Sequence, residues 1–535
     1  MLTALAVLGA CLMGAREAGN SSAAAVAVTV RAWRAVHEVS ILSELAQLLA
    51  IPNVASDREN IRRNADAIVA AFARRGIRAR LLESPDAPPA VFAEVQEAGP
   101  QGLSRRMRSA GKGAGAGPRD LPPRRTVVFY AHYDGQPVDP ARWTGKPWEP
   151  VVRDGSLESG GKDVAWSALA APVDPRFRLY ARSSSDDKAA IVGLLSALDA
   201  LKAGGLARSV NVKFFFEGEE EAGSPHLARI LRDNAPLLAA DLWLFCDGPV
   251  HQSGRKLVFF GTRGVTDVEL TAYGALRRLH SGHYGNWSPN PAVEIARLVA
   301  SMRDDEGKIL IPGFSDDVRP PTDAERRAVE EAPGVDETLR RELGLARTEG
   351  EPDRIESRIL LPALNVRGLA AGDVGARATN SIPTEASASI DFRLVPDQTP
   401  EKVRAKVEEH LRRQGYFLVR SAPDEATRLA HPRVLRVVWG AGYPSSRTSM
   451  ELPASRAVVK ILSEASGTPV VRLPTLGGSG PNYLFTEILK APVVGVPIAN
   501  HDNNQHAANE NLRIGNLWDG IEMYAALMAK LGPSL

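Results

Sequence analysis

Three consecutive phenylalanines, Phe214 to Phe216, run directly into four carboxylates within five residues: Glu217, Glu219, Glu220 and Glu221. Val210 to Phe216 reads as a strand whose end is fully buried. Like charges crowded at the mouth of such a strand repel one another unless cations neutralise them. The alternative is a solvated acidic loop, but such loops seldom hang from a core strand of phenylalanines. The chain is therefore expected to gather this acidic mouth around positive charge.

Four other segments have the same character. Phe129 to Tyr133 runs through His132 to Asp134, placing a carboxylate two residues beyond a histidine, as suits a ligand held by an orienting acid. Ser183-Ser184-Ser185-Asp186-Asp187-Lys188 opens a helix predicted to run to about Lys202. Taken alone, its two acids are also what a helix N-terminus uses as caps. Leu244-Phe245-Cys246-Asp247 again ends an apolar strand in an acid, and His501 to Glu510 follows the strand Val493 to Ile498. In open α/β sheets, ligands bind beyond the carboxyl ends of the strands. The five clusters together offer His, Asp and Glu, donors suited to a pair of divalent ions, zinc first among them.

The order of elements sets the architecture. Helices are expected at Val36 to Leu49 and Asn60 to Arg75. Strands are expected at Val91 to Val95, Thr126 to Tyr130 and Leu242 to Cys246. This alternation predicts an α/β domain with a largely parallel sheet flanked by helices. After about Gly261 the texture changes to alternating strands, Val265 to Tyr273 and Ala386 to Leu394. Thr399-Pro400 then opens a helix carrying Val403, Val407 and Leu411, and Arg319 to Arg358 reads as charged surface helices. The apolar α/β pattern returns near Leu452. The expected organisation is a catalytic domain over 36–261 and 451–535, interrupted by a smaller α+β domain over 262–450. The Gly-, Pro- and Arg-rich stretch 96–125 is expected as a flexible insertion at a hairpin tip.

Composition removes several function classes. The chain has 535 residues, 44% apolar and 24% charged, a balance that excludes a disordered or polytopic membrane chain. With 65 Lys+Arg against 63 Asp+Glu, the net charge is +2, so no basic field is present to hold a nucleic acid. Cys11 and Cys246 are the two cysteines, which excludes a disulfide framework and a thiolate-rich metal cluster. Cys246 reads as a small core residue rather than a nucleophile. Leu2 to Met13 has the length of a signal-peptide apolar core and is too short to span a bilayer. Residues 1–25 are thus expected as an export signal, giving a periplasmic or secreted protein, with lipidation at Cys11 or a cytoplasmic location as alternatives.

The five ordered motifs resemble the dinuclear zinc aminoacylase/carboxypeptidase superfamily, the M20 metallopeptidases, and within it the dipeptidases of carnosinase type. The resemblance covers roughly Glu44 to Met528. It implies that His132 and Asp247 hold one metal, that Glu221 and His506 hold the other, and that Asp186 bridges them. It makes Glu220 the general base and Asp134 the acid that orients His132. His280, in Leu279-His280-Ser281-Gly282, matches a histidine that reaches a neighbouring subunit's active site, implying a homodimer. Arg393, Gly478 and Ser479 match positions that bind the substrate's carboxylate end. Asp187, Glu217 and Glu219 are expected as supporting or solvated acids, and Trp143 and Trp148 as packing residues. The sequence departs from the pattern at Ala181 and Ser183, which replace glycines around Arg182, at Ala189, and at Asn286.

The resemblance implies hydrolysis of the amide bond of dipeptides or short peptides with a free C-terminus. Two divalent ions per subunit are expected, zinc with manganese or cobalt as alternatives. An N-acyl amino acid deacylase would use the same metals and base on a different acyl pocket. A non-catalytic peptide-binding protein on this fold would be expected to have lost a ligand or the base, and all are present in the sequence.

Overall fold

The computed structural model describes residues 22–95 and 124–535. The expected export signal through residue 21, including Cys11, and residues 96–123 of the insertion lie outside the described residues. Two compact units are present. One holds the described residues up to Phe260, Thr448–Arg472 and Leu484–Leu535; the other holds Gly261–Arg447 and Leu473–Tyr483.

The first unit is built on an eight-stranded sheet in the order Ala79–Leu82, Ala90–Val95, Asn211–Glu217, Thr126–His132, Leu242–Phe245, Val493–Gly495, Leu257–Phe259, Val471–Leu473. The four strands from Asn211–Glu217 to Val493–Gly495 are mutually parallel, and antiparallel strands flank them. Being covered on both faces, the parallel strands are apolar throughout: Phe129, Tyr130, Phe214, Phe215, Trp243 and Leu244 are fully buried. Ring stacking ties neighbouring strands together, with Tyr130 and Phe245 centroids 4.1 Å apart.

The helices form where the 3.6-residue period places apolar side chains on one face. Lys188–Ala203 is buried along most of its length and packs against the equally buried Ile514–Lys530. Ala23–Ala35 is a helix that overlaps the last residues of the expected export signal. Its alanines favour helix, Ser22 caps it, and Ala23, Val26 and Val30 are buried.

The insertion is not at a hairpin tip. Ala90–Val95 and Thr126–His132 do not pair with each other but lie on opposite sides of Asn211–Glu217, so these two strands form no hairpin.

The second unit is a mainly antiparallel sheet in the order Ala363–Ala370, Glu385–Leu394, Gly261–Tyr273, Val434–Tyr443, Phe417–Val419. Val268, Leu270, Ile390, Phe392 and Leu394 share a core with Ile295, Leu298, Val403, Val407 and Leu411 of the helices Pro291–Ala300 and Pro400–Arg413. The Thr399 hydroxyl accepts the Lys402 N–H and so starts the second helix where the sequence places it. Late in the sequence the chain returns to this unit at Leu473–Tyr483, because Leu476–Ser479 pairs in parallel with Gly261–Tyr273.

Candidate metal centre

The parallel strands all end on one side, and their carboxyl ends carry the acids and histidines. His132 is the last residue of its strand and lies in register with Glu217. Glu220 and Glu221 follow in a 3-10 turn, Asp247 lies just beyond Leu242–Phe245, and His506 is in the loop after Val493–Gly495. Asp186 and Asp187 precede the helix Lys188–Ala203, where Asp187 makes no side-chain capping bond. The capping role is thus not what this acid performs.

Two groups of donor atoms result, each within 4.8 Å of one another: His132, Asp187 and Asp247, and Asp186, Glu221 and His506. Asp186 faces both histidines, with Oδ1 2.9 Å from His132 Nε2 and Oδ2 3.1 Å from His506 Nε2. His506 Nε2 is also 3.2 Å from Glu221 Oε2. Asp187 is buried rather than solvated, and its Oδ2 is without a hydrogen-bond partner. An orphaned buried carboxylate oxygen beside a histidine and a second acid is a donor suited to a cation. The residues present therefore fit a pair of divalent ions.

Asp134 organises the near side. Its Oδ1 and Oδ2 accept the successive backbone N–H groups of Glu220 and Glu221 at 3.1 and 3.0 Å, and Oδ1 is 3.3 Å from His132 Nδ1. The Glu220 carboxylate itself accepts no hydrogen bond among the described residues and feels the charges of His132, Asp247 and Glu221. Glu217 is buried and accepts the Tyr130 hydroxyl at 2.7 Å, while the buried Glu219 pairs with His226 Nδ1 at 2.9 Å. Both are supporting acids, and neither is solvated.

Electrostatics follow from the crowding. Burial would raise Asp186, but its hydrogen bonds to His132 and His506 outweigh burial and hold its carboxyl well below the usual range. Burial and the Asp186 charge push Glu221 up to about 7 and Asp247 up to about 6. Burial, together with Asp247 and Glu221, raises Glu220 well above its ordinary value. Hydrogen bonds that His506 donates to the Asp186 and Glu221 carboxylates bring it up to about 10. The protein alone thus holds its carboxylates in a state that competes for protons or cations. Burial likewise raises the Cys246 thiol far above its usual value, in keeping with a core residue.

Several residues at the centre were not singled out from the sequence. Glu510 is fully buried. It accepts N–H groups from Ser183 (2.8 Å), Ser185 (3.0 Å) and Asp186 (3.0 Å), and the Arg182 guanidinium at 2.8 Å. Gln136 donates to Glu221 and Gln505 to Asp186, at 2.8 and 2.9 Å. Asn53 accepts the Trp148 indole N–H and donates to Ser183 Oγ, while Trp143 lies under the Arg182 guanidinium. The only sequence signal was adjacency: Gln136, Gln505 and Glu510 lie within the acid- and histidine-bearing clusters.

The remaining predicted residues belong to the second unit. Arg393 Nη1 donates to Ser479 Oγ at 2.9 Å and its Nε to Asp391 at 2.9 Å, so Arg393 and Ser479 are brought together. Gly478 is exposed, with open space where a side chain would stand. His280 is exposed and its Nδ1 accepts the Gly282 N–H at 3.1 Å. Two positions that depart from the family pattern share a backbone feature: Ser183 and Asn286 have φ of 62° and 61°, the left-handed region where glycine is the default.

A His and carboxylate donor set at the carboxyl ends of parallel strands is that of a metal-dependent hydrolase. The profile of Peptidase family M20/M25/M40 matches residues 128–530, and the chain belongs to that family. It is similar to the Cys-Gly metallodipeptidase dug1 of Schizosaccharomyces pombe, 27% identical over 418 residues, covering 77% of this chain and 80% of that protein. It is also similar to the human Beta-Ala-His dipeptidase, 25% identical over 425 residues, with 77% and 75% covered. Among solved structures, the M20 family metallo-carboxypeptidase Sso-CP2 of Sulfolobus solfataricus aligns with a TM-score of 0.71 and 26% identity, covering 92% of this chain and 99% of that one.

Proposed function

We propose that the protein is a dinuclear metallodipeptidase, hydrolysing the amide bond of dipeptides or short peptides that carry a free C-terminal carboxylate. The observation that carries this reading is Asp186, whose two carboxylate oxygens address His132 and His506 separately. Its relatives named as dipeptidases support the substrate class. His132 and Asp247 would hold one ion, Glu221 and His506 the other, with Asp186 shared and Asp187 grouped with His132 and Asp247. Zinc suits the mixture of imidazole and carboxylate, with manganese or cobalt as alternatives.

When bound, such a pair of ions acidifies a water and polarises the scissile carbonyl. Glu220, with its carboxylate free, takes the proton from the attacking water and delivers it to the leaving amine. Asp134 fixes the Glu220 backbone and the His132 ring, so that the base and the ligand keep one geometry. Arg393 and Ser479, with the turn at Gly478, take the substrate's carboxylate end. His280 stabilises the oxyanion from a neighbouring subunit, in a homodimer formed through the second unit.

Purified protein incubated with a dipeptide library tests the reading, after chelation and then restoration with zinc or manganese. Activity indifferent to chelation and restoration would sink it. N-acetyl and N-succinyl amino acids run in parallel decide between dipeptidase and deacylase.

A further inference from the structure

Arg263 stands on the strand Gly261–Tyr273, two residues before Val265, whose cross-strand partner is Arg393. Alternation along a strand puts positions 263 and 265 on one face, so Arg263 and Arg393 share a face of the sheet. On its other side Arg263 lies in register with Ser479, the residue whose hydroxyl accepts from Arg393.

The two arginines are not equally partnered. Arg393 pairs with Asp391 at 2.9 Å, an acid that also accepts from Asn365 at 3.2 Å. Arg263 is 8% exposed and makes no ion pair among the described residues. Its Nη2 donates to the Leu361 carbonyl at 3.2 Å, and its Nε has no partner. Burial, and next the like charge of Arg393, push it down to about 10 against the pull of Asp391. It therefore stays protonated at neutral pH. Two guanidinium groups and one carboxylate leave a net charge of +1, and a buried cation without a counter-ion is costly. Arg263 also lines a cavity of about 840 Å³ whose wall holds Ile359, Leu361 and Leu364 beside charged groups such as Glu349 and Arg358, ample for an amino-acid side chain.

We propose that Arg263 and Arg393 form one clamp for a single carboxylate, in which Arg263 supplies the second guanidinium for the C-terminal carboxylate of the substrate and the terminal side chain enters the cavity beside it. The proposal rests on reading Arg393 as the anchor of that carboxylate, and adds a residue that the sequence did not single out.

The test is steady-state kinetics on a cleavable dipeptide and its C-terminal amide. Wild type, Arg263→Gln, Arg263→Lys, Arg393→Gln and the double glutamine variant are compared, each checked for metal content and thermal midpoint. Arg263→Gln is expected to raise KM for the free acid about 10- to 100-fold, the range for a hydrogen bond to a charged group. The kcat and the slow reaction of the amide should change little. Arg263→Lys, which keeps the charge but loses the fork, should fall between wild type and glutamine, and it carries the test if the glutamine variant does not fold. The two glutamine effects should combine to less than their product, since both groups grip one carboxylate. If the acid-to-amide preference survives at Arg263 but collapses at Arg393, the clamp is overturned while the anchor stands. If it survives in both, the anchor reading falls as well.

Discussion

The Glu510 carboxylate accepts the backbone N–H of Asp186 at 3.0 Å, across 324 residues of chain. The same carboxylate holds the N–H groups of Ser183 and Ser185 and the Arg182 guanidinium. Glu510 therefore fixes the segment that presents Asp186, without itself standing among the grouped donor atoms.

Replacing Glu510 with Gln should accordingly weaken metal binding while leaving every proposed ligand in place. Partners that orient ligands typically contribute about 10- to 100-fold in metal affinity. Chelator competition on Glu510→Gln measures this, and the thermal midpoint should also fall because Arg182 loses its counter-charge. Unchanged affinity would show that the Asp186 segment holds its shape unaided.

Glu220 and Glu221 are adjacent but are assigned different work. Glu220→Gln should retain both ions and lose turnover, since an amide cannot accept the proton; a general base contributes roughly 100- to 10,000-fold. Glu221→Gln should instead lose metal. Elemental analysis of the two variants alongside their kcat separates the roles, and metal loss in the Glu220 variant would move the base by one position.

The strand ends were legible because a buried parallel strand writes itself as an apolar run, and an acid or histidine after such a run is conspicuous. The clusters that hold His132, Glu220, Glu221 and Asp247 stood out in this way, and the family resemblance singled out those residues within them. Glu510 was not, because its partners lie near residue 183 and nothing local marks a polar loop acid as buried. Asp187 was expected as a supporting or solvated acid, since nothing local separates it from its neighbour Asp186, yet it is buried and its carboxylate groups with His132 and Asp247. The strand order also escaped: Asn211–Glu217 inserts between two strands that are consecutive in sequence, so the insertion after Val95 was read as a hairpin. Likewise Arg263 is one cation among many until the register sets it beside Arg393.

Acid stability offers a check outside the donor groups. Asp502 pairs with Arg178 at 2.5 Å and with Arg513 at 3.0 Å. Burial works to raise its carboxyl, but Arg178, Asn500 and Arg513 outweigh burial and bring it from 3.8 to about 2. A carboxyl depressed on folding stabilises the native state above its unfolded value and loses that contribution as the pH falls through the folded one. The Asp502 contribution should thus be complete above about pH 4 and fade toward pH 2. Urea midpoints of wild type and Asp502→Asn, both metal-free, should differ at pH 5 and converge as the pH approaches 2. A difference that does not depend on pH would mean that the charge of Asp502 is not what stabilises.

The exposed His280 makes the proposed homodimer testable by mixing. Glu220→Ala and His280→Ala should each be nearly inactive alone, since loss of an oxyanion donor typically costs about 100- to 1,000-fold in turnover. If His280 acts on a neighbouring subunit, a mixed dimer holds one site with both lesions and one site with none. Random reassortment makes half the dimers mixed, so about a quarter of wild-type activity should return. If His280 acts within its own chain, every site in the mixed dimer carries one lesion and nothing is restored. Differential tags establish that subunits have exchanged. With exchange established, a recovery near zero would remove His280 from the partner's site and leave the assignments around Asp186 untouched.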